Sequence, residues 1–244
     1  MIPTGVHIAL SLLAKEIQKL KEQNLVVAID GFSSSGKSTI SRDLARTLDY
    51  THVDSGAMYR AVTLHCLDHG ISTSDEQAVS EALSEIDIRF RRSDEGCLTL
   101  LNGQLVESEI RTMRVSSEVS NIAAISSVRT FLVQLQRGYR STEGIVMDGR
   151  DIGTVVFPDA DVKLFISATI EKRTQRRHLE LTERGIDITS ASVEANLLKR
   201  DYIDSHRKDS PLRQAEDAIL LDTSGLTRTE QLNKALELII RKTS

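Results

Sequence analysis

One junction constrains this chain more than any other stretch: LVVAIDGFSSSGKST, residues 25–39. An apolar run of strand length leads without a break into Gly31-x-x-x-x-Gly36-Lys37-Ser38. That is the full phosphate-loop pattern, and it dictates a strand, a tight loop and a helix in that order. The glycines let the backbone curl, so that the N–H groups of Gly31, Phe32, Ser33, Ser34, Ser35, Gly36, Lys37, Ser38 and Thr39 are candidates to surround phosphate oxygens. The Lys37 ammonium can reach the outer phosphates, the Ser38 hydroxyl can ligate Mg²⁺, and the helix starting near Lys37 aims its N-terminal dipole at the anion. At ordinary residue frequencies the pattern arises by chance in roughly one chain in a hundred of this length. It names an anion but no reaction: such a loop can power a motor, set a switch or phosphorylate a small molecule.

The rest of the chain supplies the sheet into which that strand must fit. YTHV (50–53), GIVMD (144–148), VKLFIS (162–167) and AILLD (218–222) are short apolar runs, most of them separated by helix-like segments. Alternation of this kind predicts an α/β fold with helices on both faces of a parallel sheet. Asp148, at the end of GIVMD, is the candidate second magnesium ligand beside Ser38. A 40% hydrophobic and 27% charged composition suffices for a core of normal size. The net charge of −4 argues against a general nucleic-acid binder. Two cysteines, Cys66 and Cys97, offer neither a disulfide framework nor metal-ligand spacing, and a reduced, cytoplasmic protein is expected. No apolar stretch approaches the ~20 residues that cross a bilayer. Val6, Leu10, Leu13, Ile17 and Leu20 form the stripe of an amphipathic helix over about 4–23. Residues 1–24 therefore read as a helical extension packed on the body or on a second subunit, with a monomer the expected state and this helix the surface for a dimer.

Between the second and third core strands the period changes. Ile86, Ile88 and Phe90 alternate with Asp87, Arg89 and Arg91, which predicts a half-exposed antiparallel strand. SDEG and Asn102-Gly103 then supply turns, the second a strong hairpin signal. A small antiparallel meander thus interrupts the α/β core, and helices are expected at about 108–124 and 126–140. Three arginine-bearing stretches remain: DSGAMYR (54–60), DGRDIG (148–153) and KRDYIDSHR (199–207). The first two follow core strands, where ligands bind in open α/β sheets. In the third, Arg200, Asp204 and Arg207 would share one helix face. Arg60, Arg150 and Arg207 are candidates to converge on a second phosphate, for which planar guanidiniums are suited. A phosphate acceptor is already an anion, which fits the absence of an obvious general base.

Taken together, IDGFSSSGKST, YTHVDSGAMYRAV, VMDGRDIGTVVFPDADVKLFISA, EKRTQRRHLEL, KRDYIDSHRKDSPL and DAILLDTSGLT resemble the bacterial cytidylate kinase family of the nucleoside monophosphate kinase group. The resemblance runs from about residue 25 to the end. It implies a three-layer P-loop kinase fold with a five-stranded parallel sheet in the order 2-3-1-4-5. It also implies a nucleoside monophosphate-binding insertion at about 84–125 that carries a small antiparallel sheet, and a short helical lid at about 173–195. The implied reaction is ATP-dependent, Mg²⁺-requiring phosphorylation of CMP, and of dCMP, within pyrimidine metabolism. By the same resemblance, Ser55, Tyr59 and Arg60 lie near the acceptor phosphate, with Arg150 and Arg207 as further phosphate arginines. Ser120, Arg129 and Asp151 surround the cytosine, Arg200 and Asp204 the ribose. An ionised Asp151 would accept a hydrogen bond from the cytosine amino group and repel the carbonyl of uracil. Thr169 is positioned to cap the lid-entering helix, and Arg173, Arg176 and Arg177 share one of its faces. Lid arginines of the family close over the ATP phosphates, so Lys37, Arg150, Arg176 and Arg177 form the expected catalytic set.

The sequence departs from the family in three places. Phe32-Ser33-Ser34-Ser35 stands where the family usually has Pro followed by Gly or Ala, which bears on loop stiffness. Lys208-Asp209-Ser210-Pro211 follows Arg207 where uncharged residues are usual, and the N-terminal helix lies outside the pattern. Kinases for UMP or AMP, a small-metabolite hydroxyl kinase and a non-catalytic nucleotide-binding module are the competing expectations.

Overall fold

The computed structural model describes residues 4–93, 96–140 and 143–243, with side chains of the first helix described from Ala14 onward. Its centre is strand β1 (Val26–Gly31), buried at every position. It alternates its side chains between the two sides of the sheet as pleating requires. Val27 and Ile29 enter one apolar cluster with Ile40, Leu44, Leu48, Leu236 and Ile239. Val26 and Ala28 enter the other with Met58, Val62, Ile122, Leu132 and Met147. A strand covered on both faces must be apolar throughout, which is why LVVAI shows no polar alternation.

The other core strands are β2 (Thr51–Asp54), β6 (Ile145–Gly149), β7 (Val162–Ser167) and β8 (Ile219–Asp222). All pairs are parallel, and the order across the sheet is β2-β6-β1-β7-β8. In order of core strands this is 2-3-1-4-5, the order that the family resemblance implies. Each strand run read from the sequence is present: VKLFIS keeps both ends, the other four start one residue later, and LVVAID, YTHV and GIVMD also end one residue later. Register sets Asp54 beside Asp148 at the ends of β2 and β6, and Asp30 beside Gly149. The carboxyl ends of three strands thus open onto one crevice.

Helices α2 (Lys37–Leu48) and α9 (Arg228–Thr243) cover one face. The other carries α3 (Ser55–Asp68), α5 (Met113–Ile122) and α6 (Ser126–Arg137), with the short α4 (Glu76–Ala82) at its margin. The N-terminal helix α1 (Thr4–Gln23) matches its expected span. Val6, Leu10 and Leu13 have side chains outside the described residues, but Leu20 is buried and Ile17 packs against the α2–α9 cluster. The Tyr50 hydroxyl fixes its end: it donates to the Leu20 carbonyl and accepts from the Leu25 N–H at 3.1 Å. The described part of α1 therefore packs on the body of its own chain.

The inserted meander is a three-stranded antiparallel sheet of β3 (Ile88–Ser93), β4 (Gly96–Leu101) and β5 (Gln104–Leu105). Asn102 and Gly103 take φ of 50° and 80°, the left-handed pair demanded by a two-residue hairpin. The SDEG turn falls partly on Asp94 and Glu95, outside the described residues. The helix expected at 108–124 is shorter and broken. A 3₁₀ turn over Glu109–Arg111 comes first, and the Thr112 side chain then accepts the Val115 N–H to cap α5. Two further helices, α7 (Ile170–Glu183) and α8 (Ser190–His206), pack on each other around Leu181, Val193 and Leu197. Thr169 caps α7 as its sequence position predicts.

Candidate active site

The phosphate loop takes its shape from two close approaches. Gly31 has φ of 153°, and a Cβ there would stand 2.2 Å from the Ile166 carbonyl oxygen of β7. Gly36 has φ of 96° at the mouth of α2. Between them Ser34 is left-handed, with φ of 58°, which explains why glycine is common at such a place and shows that this chain accepts the cost of a serine. Phe32 is not a loose substitution either. Its ring meets Phe165 edge-on at 6.1 Å, and the Arg173 guanidinium lies 5.3 Å from its centre. The loop is thus pinned to β7 and α7 by an aromatic anchor in place of a rigid proline.

Lys37 is buried and donates to the Phe32 carbonyl at 3.2 Å. Burial lowers its pKa to about 7, and the nearby Arg150 charge acts in the same direction while Asp148 opposes it. A buried ammonium of this kind awaits an anion. The Ser38 hydroxyl donates to Asp148 Oδ2 at 2.6 Å, joining the loop to β6 as the sequence suggests. Asp148 Oδ1 is 2.9 Å from His52 Nε2, and the Asp148 carbonyl accepts from Ser55 at 2.7 Å.

Across the crevice stands a group of cations. Arg60 is half-buried, yet desolvation drives its pKa well below the ordinary arginine value, and Arg200, Arg111 and Arg177 add to the effect while Asp54 opposes it. Burial likewise lowers Arg200 to about 10, with Arg150 next among the causes. Arg150 donates through Nε to Asp204 Oδ2 at 2.8 Å and through Nη2 to Ser33 Oγ at 2.7 Å, so it spans from α8 to the phosphate loop. Arg177 reaches in from α7, where its Nη1 lies 2.8 Å from Glu180. Arg150 and Arg177 each have a carboxylate partner, whereas Arg60 has only a hydroxyl, so the cluster offers free guanidinium N–H groups to a phosphate.

The closed end has a different character. Asp151 and Arg129 form a buried ion pair, Arg129 Nη2 meeting Asp151 Oδ2. Arg129 also donates to the Ala123 carbonyl at 3.1 Å and lies 5.4 Å from the centre of the Tyr59 ring. Asp151 Oδ1 is left with a longer contact, 3.9 Å from Arg207 Nη2. Ser120 donates to Asp204 Oδ1 at 3.5 Å. The surrounding cleft has a volume of about 1120 Å³ and reaches continuously from Lys37 and Ser38 to Ser120, Arg129 and Asp151.

Two groupings differ from the sequence expectation. Helix α8 ends at His206 and Arg207 follows in extended conformation, yet its Nη1 stays 4.0 Å from Asp204 Oδ1 and Arg200, Asp204 and Arg207 line the same cleft. Arg207 Nε and Nη2 donate to the Ser210 carbonyl at 2.9 and 2.7 Å, and its charged neighbours are Arg129, Asp151 and Asp204. The structure therefore gathers Arg200 with Arg60 and Arg150, and Arg207 with the Asp151 end. The arginines of α7 also diverge. Arg173 is buried against Asp201 at 2.5 Å and the Ser33 carbonyl, and Arg176 donates to the Ser35 and Thr223 carbonyls, whereas Arg177 alone turns to Arg60.

Sequence reasoning passed over four residues that build this site. His52 orients Asp148. Asp54 caps α3 through the Ala57 N–H and accepts from Arg111 at 2.9 Å; burial alone would raise its carboxyl, but the Arg111 charge holds it far below the usual range. Asp30 accepts the N–H groups of Ile152 and Gly153, both at 2.8 Å, and so clamps a single π-type turn over Ile152–Val156. Burial raises its carboxyl to about 7 against those two bonds. Only Asp30 had a legible signal, an acid ending an otherwise apolar strand.

A phosphate loop and an opposing arginine cluster at the carboxyl ends of a 2-3-1-4-5 parallel sheet define the class: a P-loop kinase with an enlarged acceptor side. The family follows from comparison. The cytidylate kinase family model matches residues 27–241. The cytidylate kinase of Parabacteroides distasonis is 50% identical over 220 residues, covering 88% of this chain and 96% of the relative. That of Bacteroides thetaiotaomicron is 50% identical, covering 86% and 93%, and that of Carboxydothermus hydrogenoformans 47% identical, covering 88% and 97%. The chain belongs to the cytidylate kinase family.

Proposed function

We propose that the protein moves the γ-phosphoryl group of ATP directly to the 5′-phosphate of CMP, and of dCMP, giving the diphosphate and ADP. The observation that carries this reading is the one cleft that Arg60, Arg150 and Arg200 line together with Lys37, with the Asp151–Arg129 pair beyond them. A donor triphosphate lies along the backbone of residues 31–39 and against Lys37. The acceptor phosphate lies among Arg60, Arg150 and Arg200, and Arg177 and Arg176 approach from the lid helices. This assigns Arg200 to the phosphate, and Arg207 to the wall of the base and ribose pocket. Cytosine fits Asp151, whose Oδ1 can accept from the amino group while Arg129 and Ser120 donate to the ring acceptors.

The residues present also fit Mg²⁺. Among the described residues no cluster of three or more acidic, His or Cys side chains could hold a metal ion by itself. Mg²⁺ beside nucleotide phosphates needs only one or two protein oxygens. Ser38 Oγ donates its hydrogen bond to Asp148 and has lone pairs left for a cation, and Asp148 can hold a metal-bound water. When bound, the ion would neutralise phosphate charge. The acceptor oxygen carries its own negative charge, so the chain's task is to align the two phosphates, balance their charge and exclude water. The segment at about 84–125 acts as the acceptor-binding insertion and that at about 173–195 as the lid; the location is the cytoplasm, and among the described residues no helix is long and apolar enough to cross a membrane.

The test is an ADP-release assay with CMP, dCMP, UMP and AMP side by side. CMP and dCMP should be the preferred acceptors, and Lys37→Met should lower kcat by about 10²-fold or more with them. Equal use of AMP, or near-normal turnover by Lys37→Met, overturns the reading.

A further inference from the structure

Ser116 lies on α5, is 1% exposed, and has no role in the reading above. Its hydroxyl oxygen accepts from Arg60 Nη1 at 2.9 Å and from Arg177 Nη2 at 3.3 Å. The two guanidiniums arrive from different parts of the molecule: Arg60 from α3 under the crevice, Arg177 from α7 on the lid side. Two like charges sharing one neutral oxygen repel each other, so the arrangement does not serve stability. A hydroxyl has two lone pairs and can accept both bonds at once. Each arginine commits one N–H to Ser116 and keeps others for a different partner. Among the described residues, this is the one hydrogen bond of the Arg60 side chain.

We propose that Ser116 is a positioning residue: its hydroxyl holds the Arg60 and Arg177 side chains at one point, so that an entering phosphate oxygen meets both guanidiniums already aligned. It rests on the reading of this cleft as an acceptor-phosphate site. The α5 helix then links the acceptor floor to the lid, because the hydroxyl it carries is bonded to both. The Ser116 hydroxyl touches neither substrate and is not displaced by the phosphate.

Ser116→Ala and Ser116→Thr, with wild type beside them, test this. The alanine should raise the CMP dissociation constant, measured by calorimetry without ATP, and the CMP KM by about three- to tenfold. The KM for ATP should move less than about twofold, because the donor loop contacts neither Arg60 nor Ser116. Threonine restores the hydroxyl and should recover most of the CMP affinity. Arg177→Ala and Ser116→Ala should combine to less than the product of their separate effects on CMP KM. Unchanged or tighter CMP binding by the alanine variant, an equal change in both KM values, or full additivity with Arg177→Ala overturns the proposal. A wild-type protein that does not bind or phosphorylate CMP would instead overturn the functional reading itself, so the two failures are distinct.

Discussion

At the scale of single residues the site is a balance of charges set by burial. Lys37, Arg60 and Arg200 are all moved toward their neutral forms by desolvation, and each has a like-charged arginine among its neighbours. Asp151 is the opposite case, a buried carboxylate with one oxygen fully engaged by Arg129 and the other in long contact with Arg207. That free oxygen decides cytosine over uracil in the proposed reading. Asp151→Asn can present either an amide oxygen or an amide N–H, so the CMP-to-UMP ratio of kcat/KM should fall by about 10- to 100-fold. The same change leaves Arg129 buried beside a neutral partner, and unfolding by denaturant should show a loss of about 1–3 kcal/mol. A ratio that stays at the wild-type value would show that another group reads the base. The spacing of the arginine stretches made several of these residues legible from sequence. Ser116, His52 and Arg111 were not legible, because each acts through partners between 56 and 96 positions away.

At the scale of elements, caps and clamps set where each helix begins and how it meets the sheet. Thr112, Thr169 and Thr189 each accept an N–H from the first turn of their helix. Asp43 ties α2 to the start of α9, accepting from Arg228 Nε at 2.7 Å and from Nη2 at 2.6 Å. The Arg228 hydrogen bond is the largest influence on Asp43 and holds its carboxyl below the ordinary value of 3.8. A depressed folded-state value means the pair stabilises the protein in full above the unfolded value and loses that contribution as pH falls through the folded one. The Arg228 side chain is 63% exposed, so solvent screening keeps the contribution to about 1 kcal/mol or less. Arg228→Ala should therefore destabilise by that amount at pH 7, and the gap between variant and wild type should close once the pH is taken well below 3.8. Chemical denaturation at both pH values checks it; a gap that widens in acid would reverse the sign.

At the scale of the whole molecule the apolar core is divided by the sheet, and the α7–α8 pair has a third, smaller core of its own. Leu181, Val193 and Leu197 form it, with Met113, Ile170, Ile186 and Ile188 at its margin. The two sheet-flanking clusters are much larger. A unit with few buried contacts opens more readily than the rest, which suits the lid role proposed for this pair. Leu197→Ala removes a buried side chain from the smallest core and should cost that unit about 2–4 kcal/mol. Amide exchange should accelerate across 170–206 while β1, β6 and β7 keep wild-type protection. Uniform acceleration throughout the chain would show that the pair unfolds only with the whole.

The sequence by itself determined the parallel α/β class, the strand order through the family resemblance, the phosphate loop and its Ser38–Asp148 partnership. These follow from local periodicity and from motifs whose residues stand close together or at strand ends. Tertiary structure alone decided which arginines share a space. Arg207 keeps its contact with Asp204 but lies with Arg129 and Asp151, while Arg200 joins Arg60. It also decided that Phe32 is an anchor, since Phe165 and Arg173 reach it from elements more than a hundred residues onward. The physical reason is the same in each case. Periodicity reports which face of an element is buried, but burial of a charge or a ring is settled by what the neighbouring elements bring against it.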